Sequence, residues 1–387
     1  MKNSLLTVSV ASCTTILSMV GASAQAPTEA SSKPMGYVTY TAKGNSDTRI
    51  GAPVHRKAAF VGKVGSVSSN VITVDGADPG WAADSFTDPT YVDPDTGPPA
   101  SELYFVLIGS GGTGNMEGRH FEISGNGSNT LTLDLAGETS FGTDVTSGTS
   151  IKVIPYWTLD TLFPGGEGVH ASQNFGTLNS AVLIPSAMTA GINLSSSDTF
   201  FYYDGSISAL PEPRWARLGS GAPDFGKYPL APDSQLIVRH NVGADTEITP
   251  IGDVYTTSYR ALVNILSTGV DQDNAVFLNV PIDVSLIDSN LFQSGAIAGN
   301  PTFNAAASDS LLVYDNTAAG QNKSSAKTYF YHDGSILPAG WRLSGGGPTV
   351  YDSDIVFSLD KQVIIRKKGA TMGSKVWDMT PSYLPFP

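Results

Sequence analysis

The chain has a single cysteine, Cys13, and few charged side chains among its 387 residues. Charged residues make up 15% of the sequence, where about a quarter is usual. Acidic residues outnumber basic ones by 35 to 22, which gives a formal net charge of −13. Because binding to a phosphate backbone requires clustered lysine and arginine, a nucleic acid is not expected as partner. Hydrophobic residues make up 41% of the chain, enough to form a core, so a folded protein is expected.

Long hydrophobic runs are also scarce, and the longest lies in residues 1–24, "MKNSLLTVSVASCTTILSMVGASA". It has a basic start at Lys2 and small residues at Ala22 and Ala24, as in a secretory signal peptide cut after Ala24. The alternative is a lipid anchor at Cys13, which the continuing apolar run disfavours. If Cys13 is removed with the signal peptide, the exported chain has no disulfide and depends on its core and sheets. No later run has the length of a membrane span.

Helical patterns of more than two or three turns are absent, and the best short candidate is residues 283–295. Alternating apolar and polar residues recur instead, rich in β-branched and aromatic side chains. Hairpins are predicted at 62–76 and 120–135, and further strands at 102–108 and 150–159. With 41 glycines and 24 prolines for turns, these patterns predict an all-β protein of several β-sandwich or barrel-like units with few short helices.

The sequence also repeats itself: residues 201–207 read "FYYDGSI" and residues 330–336 read "FYHDGSI". Asp-Gly between aromatic-rich strands indicates a tight turn that needs positive φ. Further matches follow in the same order: Trp215 with Trp341, Arg217 with Arg342, and residues 233–239 with residues 360–366. In each copy of the last strand, period-two alternation places Asp, Gln, Ile and Arg on one face and the core residues on the other. We infer a duplicated β unit.

A weaker match relates "SAVLIP" (180–185) to "NAVFLN" (274–279), and the second copy is expected to carry an additional hairpin at 311–332. The predicted organisation is a signal peptide (1–24), a linker (25–35), an N-terminal β unit (36–164) and two repeat units (165–265 and 266–387).

Motifs for catalysis are few. "GSGGTG" (109–114) fits a dinucleotide fingerprint, but strands follow it where a helix is required, so a hairpin loop is expected. Ser206 and Ser335 follow the Asp-Gly turns, but His332 beside one turn is Tyr203 beside the other, which argues against a shared catalytic role.

Metal-binding patterns are equally weak. The histidines lack zinc spacing. The acidic loops at 88–99, 271–274 and 352–354 are incomplete as calcium loops and are interpreted as solvated turns. No catalytic residue, cofactor or metal site is predicted.

Sugar binding is the best specific alternative, and it points to Trp215 with Arg217 and to Trp341 with Arg342. An exposed tryptophan can stack on a sugar while arginine hydrogen-bonds to it. One tryptophan per β unit is also typical of a core anchor. Exposure in a groove would support the first interpretation, and burial of both tryptophans would exclude it.

Four stretches resemble a family of uncharacterised exported β-rich bacterial proteins of verrucomicrobial type: residues 36–42, 58–74, 118–135 and 154–164. The resemblance implies a secreted β-rich protein, often one of many paralogues. It implies no activity, cofactor or site residue.

These observations favour an exported structural or adhesive protein of the cell envelope, without catalytic activity, with polysaccharide or envelope components as partners. A secreted carbohydrate-binding protein is the alternative, and an enzyme acting on polysaccharide is the third hypothesis.

Overall fold

The computed structural model describes residues 34–113, 116–135, 140–369 and 371–384. The predicted signal peptide, and the linker except for its last two residues, lie outside the described residues. Antiparallel strands dominate the rest, which confirms the all-β class. Among the described residues, helical structure is limited to α1 (Leu159–Leu162) and two 3-10 turns, Pro164–Gly166 and Ala305–Ala307. No helix in these ranges is long and apolar enough to span a membrane.

Strands β1 to β11 precede the helix: β1 (Met35–Tyr37), β2 (Tyr40–Ala42), β3 (Asp47–Ile50), β4 (Val54–His55), β5 (Phe60–Ser68), β6 (Val71–Val74), β7 (Tyr104–Ile108), β8 (His120–Asn126), β9 (Thr130–Leu133), β10 (Ser150–Pro155) and β11 (Trp157–Thr158). Strands β12 to β18 follow it: β12 (Ser180–Pro185), β13 (Ser196–Tyr203), β14 (Arg214–Arg217), β15 (Pro229–Leu230), β16 (Leu236–His240), β17 (Thr246–Ile248) and β18 (Ile251–Val254). The last third contains β19 (Tyr259–Ile265), β20 (Gln272–Asn274), β21 (Val284–Ser285), β22 (Ser310–Asp315), β23 (Lys327–His332), β24 (Gly340–Leu343), β25 (Ile355–Phe357), β26 (Lys361–Lys367) and β27 (Gly373–Met379).

Strands β5 to β10 close into an antiparallel barrel in the order β10-β5-β6-β9-β8-β7. The two predicted hairpins are its β5–β6 and β8–β9 pairs. Alternate side chains fill the interior, where Val64, Ile72 and Leu131 are fully buried.

The other two main sheets are copies of one another. Their strand orders are β14-β13-β12-β16-β3 and β24-β23-β22-β26-β20. The registers agree as well: Val182 lies opposite Phe200 in the first sheet, and Leu311 lies opposite Tyr329 in the second. Matching topology and register support the duplication inferred from the sequence.

The register also corrects the predicted alignment. The hairpin of β12 and β13 aligns without gaps with that of β22 and β23, so residues 180–203 correspond to residues 309–332. The hairpin at 311–332 is therefore the second copy of the first hairpin, not an addition. "NAVFLN" (274–279) continues β20, whose equivalent is β3, so its match to "SAVLIP" was wrong. Chance similarity of short apolar runs explains the error.

The strands divide the chain differently from the predicted ranges. Strands β2 and β3, expected in an N-terminal unit at 36–164, pair with β17 and β16 of the first repeat. The barrel begins after β4 and ends before β11. At the equivalent position, the second repeat has only a short connection, between β20 and β21. The barrel is thus an insertion into the first repeat. Below, repeat 1 means residues 34–55 with 157–254, and repeat 2 means residues 259–384.

Residues 283–295, the predicted helix candidate, form the short strand β21 followed by turns. Leu286 and Leu291 of this segment are fully buried in the core of repeat 2. The equivalent place in repeat 1 holds the four-residue helix α1, whose Leu159 is buried in the same manner. Both segments close one end of a core, and neither is long enough to form an independent helix.

Candidate functional site: the cleft between the repeats

Two β-hairpins, one from each repeat, reach across to the opposite repeat. They are hairpin 1 between β12 and β13 (residues 186–195) and hairpin 2 between β22 and β23 (residues 316–326). The carbonyl of Gly191 in hairpin 1 accepts a hydrogen bond from the backbone N–H of Asp273 at 3.0 Å. The carbonyl of Gly320 in hairpin 2 accepts one from the N–H of Asp47 at 3.0 Å. The repeats are therefore interlocked by reciprocal contacts that follow the duplication.

An aspartate and an arginine form the receiving point on each repeat. In repeat 1, Arg239 donates from Nε and Nη2 to the two carboxylate oxygens of Asp47, at 2.7 and 2.8 Å. In repeat 2, Arg366 donates to Asp273 in the same way, at 2.7 and 2.9 Å. Each aspartate side chain is 9% exposed, so both bidentate pairs are largely desolvated.

An asparagine in each hairpin completes the pair on the opposite repeat. The backbone N–H of Asn322 donates to Asp47 at 2.7 Å, and its side-chain oxygen accepts from Arg239 at 2.7 Å. Asn193 bonds to the other pair in the same way, at 2.9 and 3.0 Å. Both asparagines have a φ of 52°, a left-handed conformation that Asn tolerates well. This explains why both hairpins contain Ala-Gly-x-Asn, a shared pattern that the sequence alignment missed.

The interlocked sheets border a cleft of about 890 Å³, which we call the inter-repeat cleft. Its apolar lining comes from equivalent side chains of the two repeats: Leu183 and Ile237, Leu312 and Ile364. Its polar lining includes the serines Ser195 and Ser196, Ser324 and Ser325, also at equivalent positions. Small-molecule sites commonly have volumes of about 300–1,000 Å³, so the inter-repeat cleft is the best candidate for a binding site.

The cleft contains further charged groups. Arg49 donates from Nη1 to the side-chain oxygen of Gln235 at 2.9 Å, and its guanidinium lies 4.0 Å from the ring centre of Tyr314. Burial lowers the pKa of Arg49, and it also lowers the pKa of Lys323. Both cations are thus only partly compensated by neighbouring acceptors and anions.

Trp215 and Trp341, the predicted sugar-stacking residues, are both 0% exposed. Trp215 packs against Phe163 and Tyr202 in the core of repeat 1, and Trp341 packs against Tyr331 in the core of repeat 2. The prediction that they bind a ligand was wrong, because each fills the centre of a β core. Their equivalent positions opposite Tyr202 and Tyr331 confirm that they match as repeats.

The two arginines predicted beside them are not equivalent, because the register places Arg342 at the position of Ala216. Arg342 is fully buried and donates to the carbonyls of Pro338 and Trp341, so it cannot reach a ligand in solvent. Arg217 bonds to Asp198 at 2.7 Å and to Asp95 and the Pro94 carbonyl in the long β6–β7 loop of the barrel. Arg217 therefore attaches the barrel to repeat 1.

The doubled Asp-Gly-Ser segments are turns. Gly205 and Gly334 have φ values of 84° and 98°. Ser335 donates from Oγ to Asp333 at 2.7 Å, and Ser206 donates to its Asp204 at 2.5 Å. These hydroxyls stabilise their turns, and the hydrogen bonds from Ser335 lower the pKa of Asp333. Neither serine hydroxyl donates to a histidine.

One serine–histidine pair does occur, and it is buried. Ser180 Oγ lies 2.7 Å from Nδ1 of His240, and Nε2 of His240 lies 2.8 Å from Thr246. The exposed fraction of Ser180 is 1% and that of His240 is 0%. The register of repeat 2 places the buried ion pair Asp309–Lys367 at the same position. A structural role follows, because a substrate has no access and the equivalent pair in repeat 2 is a buried ion pair in place of the hydroxyl and imidazole.

The Gly-rich stretch 109–114 lies in the loop between β7 and β8, except for its last residue, which is outside the described residues. A strand follows it, so the helix N-terminus that a pyrophosphate needs is lacking at this loop. The acidic loops mostly make internal bonds: Asp88 accepts from Thr90 and Ala100, and Asp271 accepts from Lys368. Within the described ranges, no group of three or more His, Cys, Asp or Glu side chains is arranged to hold a metal ion.

A smaller cleft of about 260 Å³, the seam cleft, lies between barrel strand β8 and the repeats. Its carboxylates are Glu122 and Asp134 from the barrel and Asp233 from repeat 1. Desolvation and the charge of Asp134 raise the pKa of Glu122. His120 lies 3.6 Å from Asp233. Carboxylates of the barrel and of repeat 1 thus face a shared cleft, a pattern that sequence spacing could not show.

Comparison with family models, curated proteins and solved structures finds no match for this chain.

Proposed function

We propose that the chain is an exported, non-catalytic protein of the cell envelope with a structural or adhesive role. The observation that carries the proposal is how the charged groups of the inter-repeat cleft are used. Its two aspartate–arginine pairs are held in bidentate geometry and bonded to the opposite hairpin. Groups fixed in this way hold two β units together, and they are not free to exchange protons with a substrate.

The predicted signal peptide at 1–24 supports export, and the scarcity of lysine and arginine supports a partner other than nucleic acid. The Ser-, Thr- and Gly-rich surface suits an extracellular setting. The buried tryptophans argue against sugar stacking at Trp215 and Trp341, so carbohydrate binding as the alternative function depends on another site.

A polysaccharide-acting enzyme is favoured by one observation, the raised pKa of Glu122 beside Asp134 in the seam cleft. Two carboxyl groups with different pKa values are the basis of glycoside hydrolysis. However, the volume of this cleft, 260 Å³, is below the usual size of a ligand site. In addition, the third carboxylate of the cleft, Asp233, already has a neighbouring side chain of this protein, His120, at 3.6 Å. We therefore place this function second.

The test is to incubate the purified chain with insoluble and soluble polysaccharides and to measure co-sedimentation and new reducing ends in the same samples. The proposal predicts binding or self-assembly with no new reducing ends. Release of reducing ends that Glu122→Gln abolishes would instead establish the enzyme. Glu117→Gln on the neighbouring turn is the matched control.

A further inference from the structure

The two ends of the inter-repeat cleft are related by the duplication but differ in charge. The end at hairpin 2 carries Arg49 and Lys323, and the equivalent positions at the other end are Ala275 and Leu194. At that other end Lys368 is neutralised by Asp271 at 2.7 Å. The hairpin 2 end thus has two cations that its counterpart lacks, in a protein with a net charge of −13.

Both extra cations retain donors for a ligand. Arg49 uses Nη1 for Gln235, and its Nε and Nη2 groups make no hydrogen bond within the described chain. Lys323 donates from Nζ to the carbonyls of Asp315 and Ala318, each at 2.8 Å, which leaves one of its three hydrogens. An anion placed between them would restore the solvation that burial has removed.

The remaining lining suits a polyhydroxylated molecule. Serine hydroxyls occur on both hairpins and both sheets, and each can donate to and accept from a hydroxyl group. The leucine and isoleucine side chains offer apolar contact for the C–H faces of a sugar ring. The wall contains a single aromatic ring, that of Tyr314, which is held beneath Arg49.

We propose that the inter-repeat cleft binds an acidic oligosaccharide, with a uronic acid carboxylate at Arg49 and Lys323 and its neutral sugar hydroxyls along the serines. This proposal rests on the adhesive role proposed above, since it names the chemistry of the partner. Arginine offers a planar pair of donors to a carboxylate, and lysine a single charge, so both groups can bind one acid group.

Isothermal titration of the purified chain with trigalacturonate and with neutral maltotriose tests the proposal. We expect trigalacturonate to bind, maltotriose to bind at least about tenfold more weakly, and added salt to weaken the binding of trigalacturonate. Arg49→Gln and Lys323→Gln should each lower the affinity for trigalacturonate about tenfold, whereas Arg49→Lys should retain part of that affinity. The matched control Lys368→Gln, at the opposite end, should change it by less than about threefold.

Thermal melts of each variant show whether it is folded, and the Lys323 variant keeps the test valid if Arg49→Gln does not fold. Equal binding of maltotriose, unchanged affinity in both folded variants, or no binding at millimolar trigalacturonate would overturn the proposal. Binding of inorganic phosphate with no preference for the sugar acid would overturn it as well. None of these results affects the envelope role, which is tested by location in the host and by the absence of hydrolysis.

Discussion

At the level of single residues, the pair of Asp273 and Arg366 also binds a third residue, in the opposite hairpin. The carboxylate also accepts the backbone N–H of Asn193, so one side chain joins two strands and the opposite hairpin. Removal of the Asp273 carboxylate leaves the partly buried guanidinium of Arg366 and the backbone N–H of Asn193 without this acceptor.

Asp273→Ala should lower the free energy of unfolding by about 2–3 kcal/mol, less than for a fully buried pair, since the arginine is 22% exposed. Urea denaturation measures the change. Lys43→Ala is the control, because its pair with Asp245 is exposed and should be worth about 1 kcal/mol or less. Equal effects of the two substitutions would contradict the role given to the buried pair.

His240 gives a pH dependence. Burial, with a smaller effect of His170, lowers the pKa of His240 to about 4 from its usual 6.5. A base whose pKa falls on folding stabilises the fold above its unfolded pKa and loses that contribution as pH falls from about 6.5 to about 4. This pH range lies above the range in which Asp271 and Asp333 affect stability, because their pKa values are lowered from 3.8.

We expect the melting temperature of the wild type to fall across pH 6.5 to 4 and that of His240→Gln to fall less. Glu122, whose pKa is raised, has the opposite effect on stability as the pH falls. Because both proteins contain Glu122, the difference between their curves is free of this effect. Parallel curves for the two proteins would rule out His240 as the titrating group.

Trp215 and Trp341 show what residue type can and cannot indicate. Their matching positions could be predicted, because large side chains in a duplicated core are retained in register. Their exposure could not, because the same Trp-containing strand serves a groove or a core depending on what packs over it. Arg217 and Arg342 look alike in sequence, but one residue of register places them on different faces of the sheet.

At the scale of elements, strands and tight turns follow from local chemistry, and the hairpins at 62–76 and 120–135 form as their alternation predicts. The exchange of hairpins 1 and 2 could not be predicted in this way, because their partners lie far away in the chain. A trace was nonetheless present: "AGINLSS" (190–196) and "AGQNKSS" (319–325) align without gaps. The two asparagines are retained because each meets an aspartate–arginine pair.

Asn193→Ala tests the exchange. It replaces a residue at a φ of 52° and removes a 3.0 Å bond to Arg366, so it should lower the free energy of unfolding by about 1–2 kcal/mol. Met188→Ala is the control in the same hairpin, because Met188 is 88% exposed and should cost about 0.5 kcal/mol or less. Chemical denaturation measures the free energy of unfolding of both variants. If Asn193→Ala is no less stable than Met188→Ala, the interlocking contact does not stabilise the fold.

At the scale of the whole molecule, two interlocked repeats form the body, and the barrel is inserted into the first of them. Repeat 2 shows that the same fold needs only a short connection between the strands equivalent to β3 and β11. The insertion adds a separate core, that of the barrel, to the cores of the two repeats.

Replacement of residues 58–156 by a short Gly-Ser linker should therefore leave a folded protein with the circular dichroism of an antiparallel β structure and a cooperative melt. Some loss of stability is expected, because Arg217 and Lys227 lose their contacts with the β6–β7 loop. Loss of cooperative unfolding would show that the barrel is required for the repeats to fold.

We propose that this protein works outside the cytoplasm as part of the envelope, and fractionation of the native host with an antibody against residues 259–384 is the decisive experiment. We expect a protein that starts after Ala24 and is found in the envelope or extracellular fraction. A full-length chain that retains residues 1–24 and remains in the cytoplasm would contradict it.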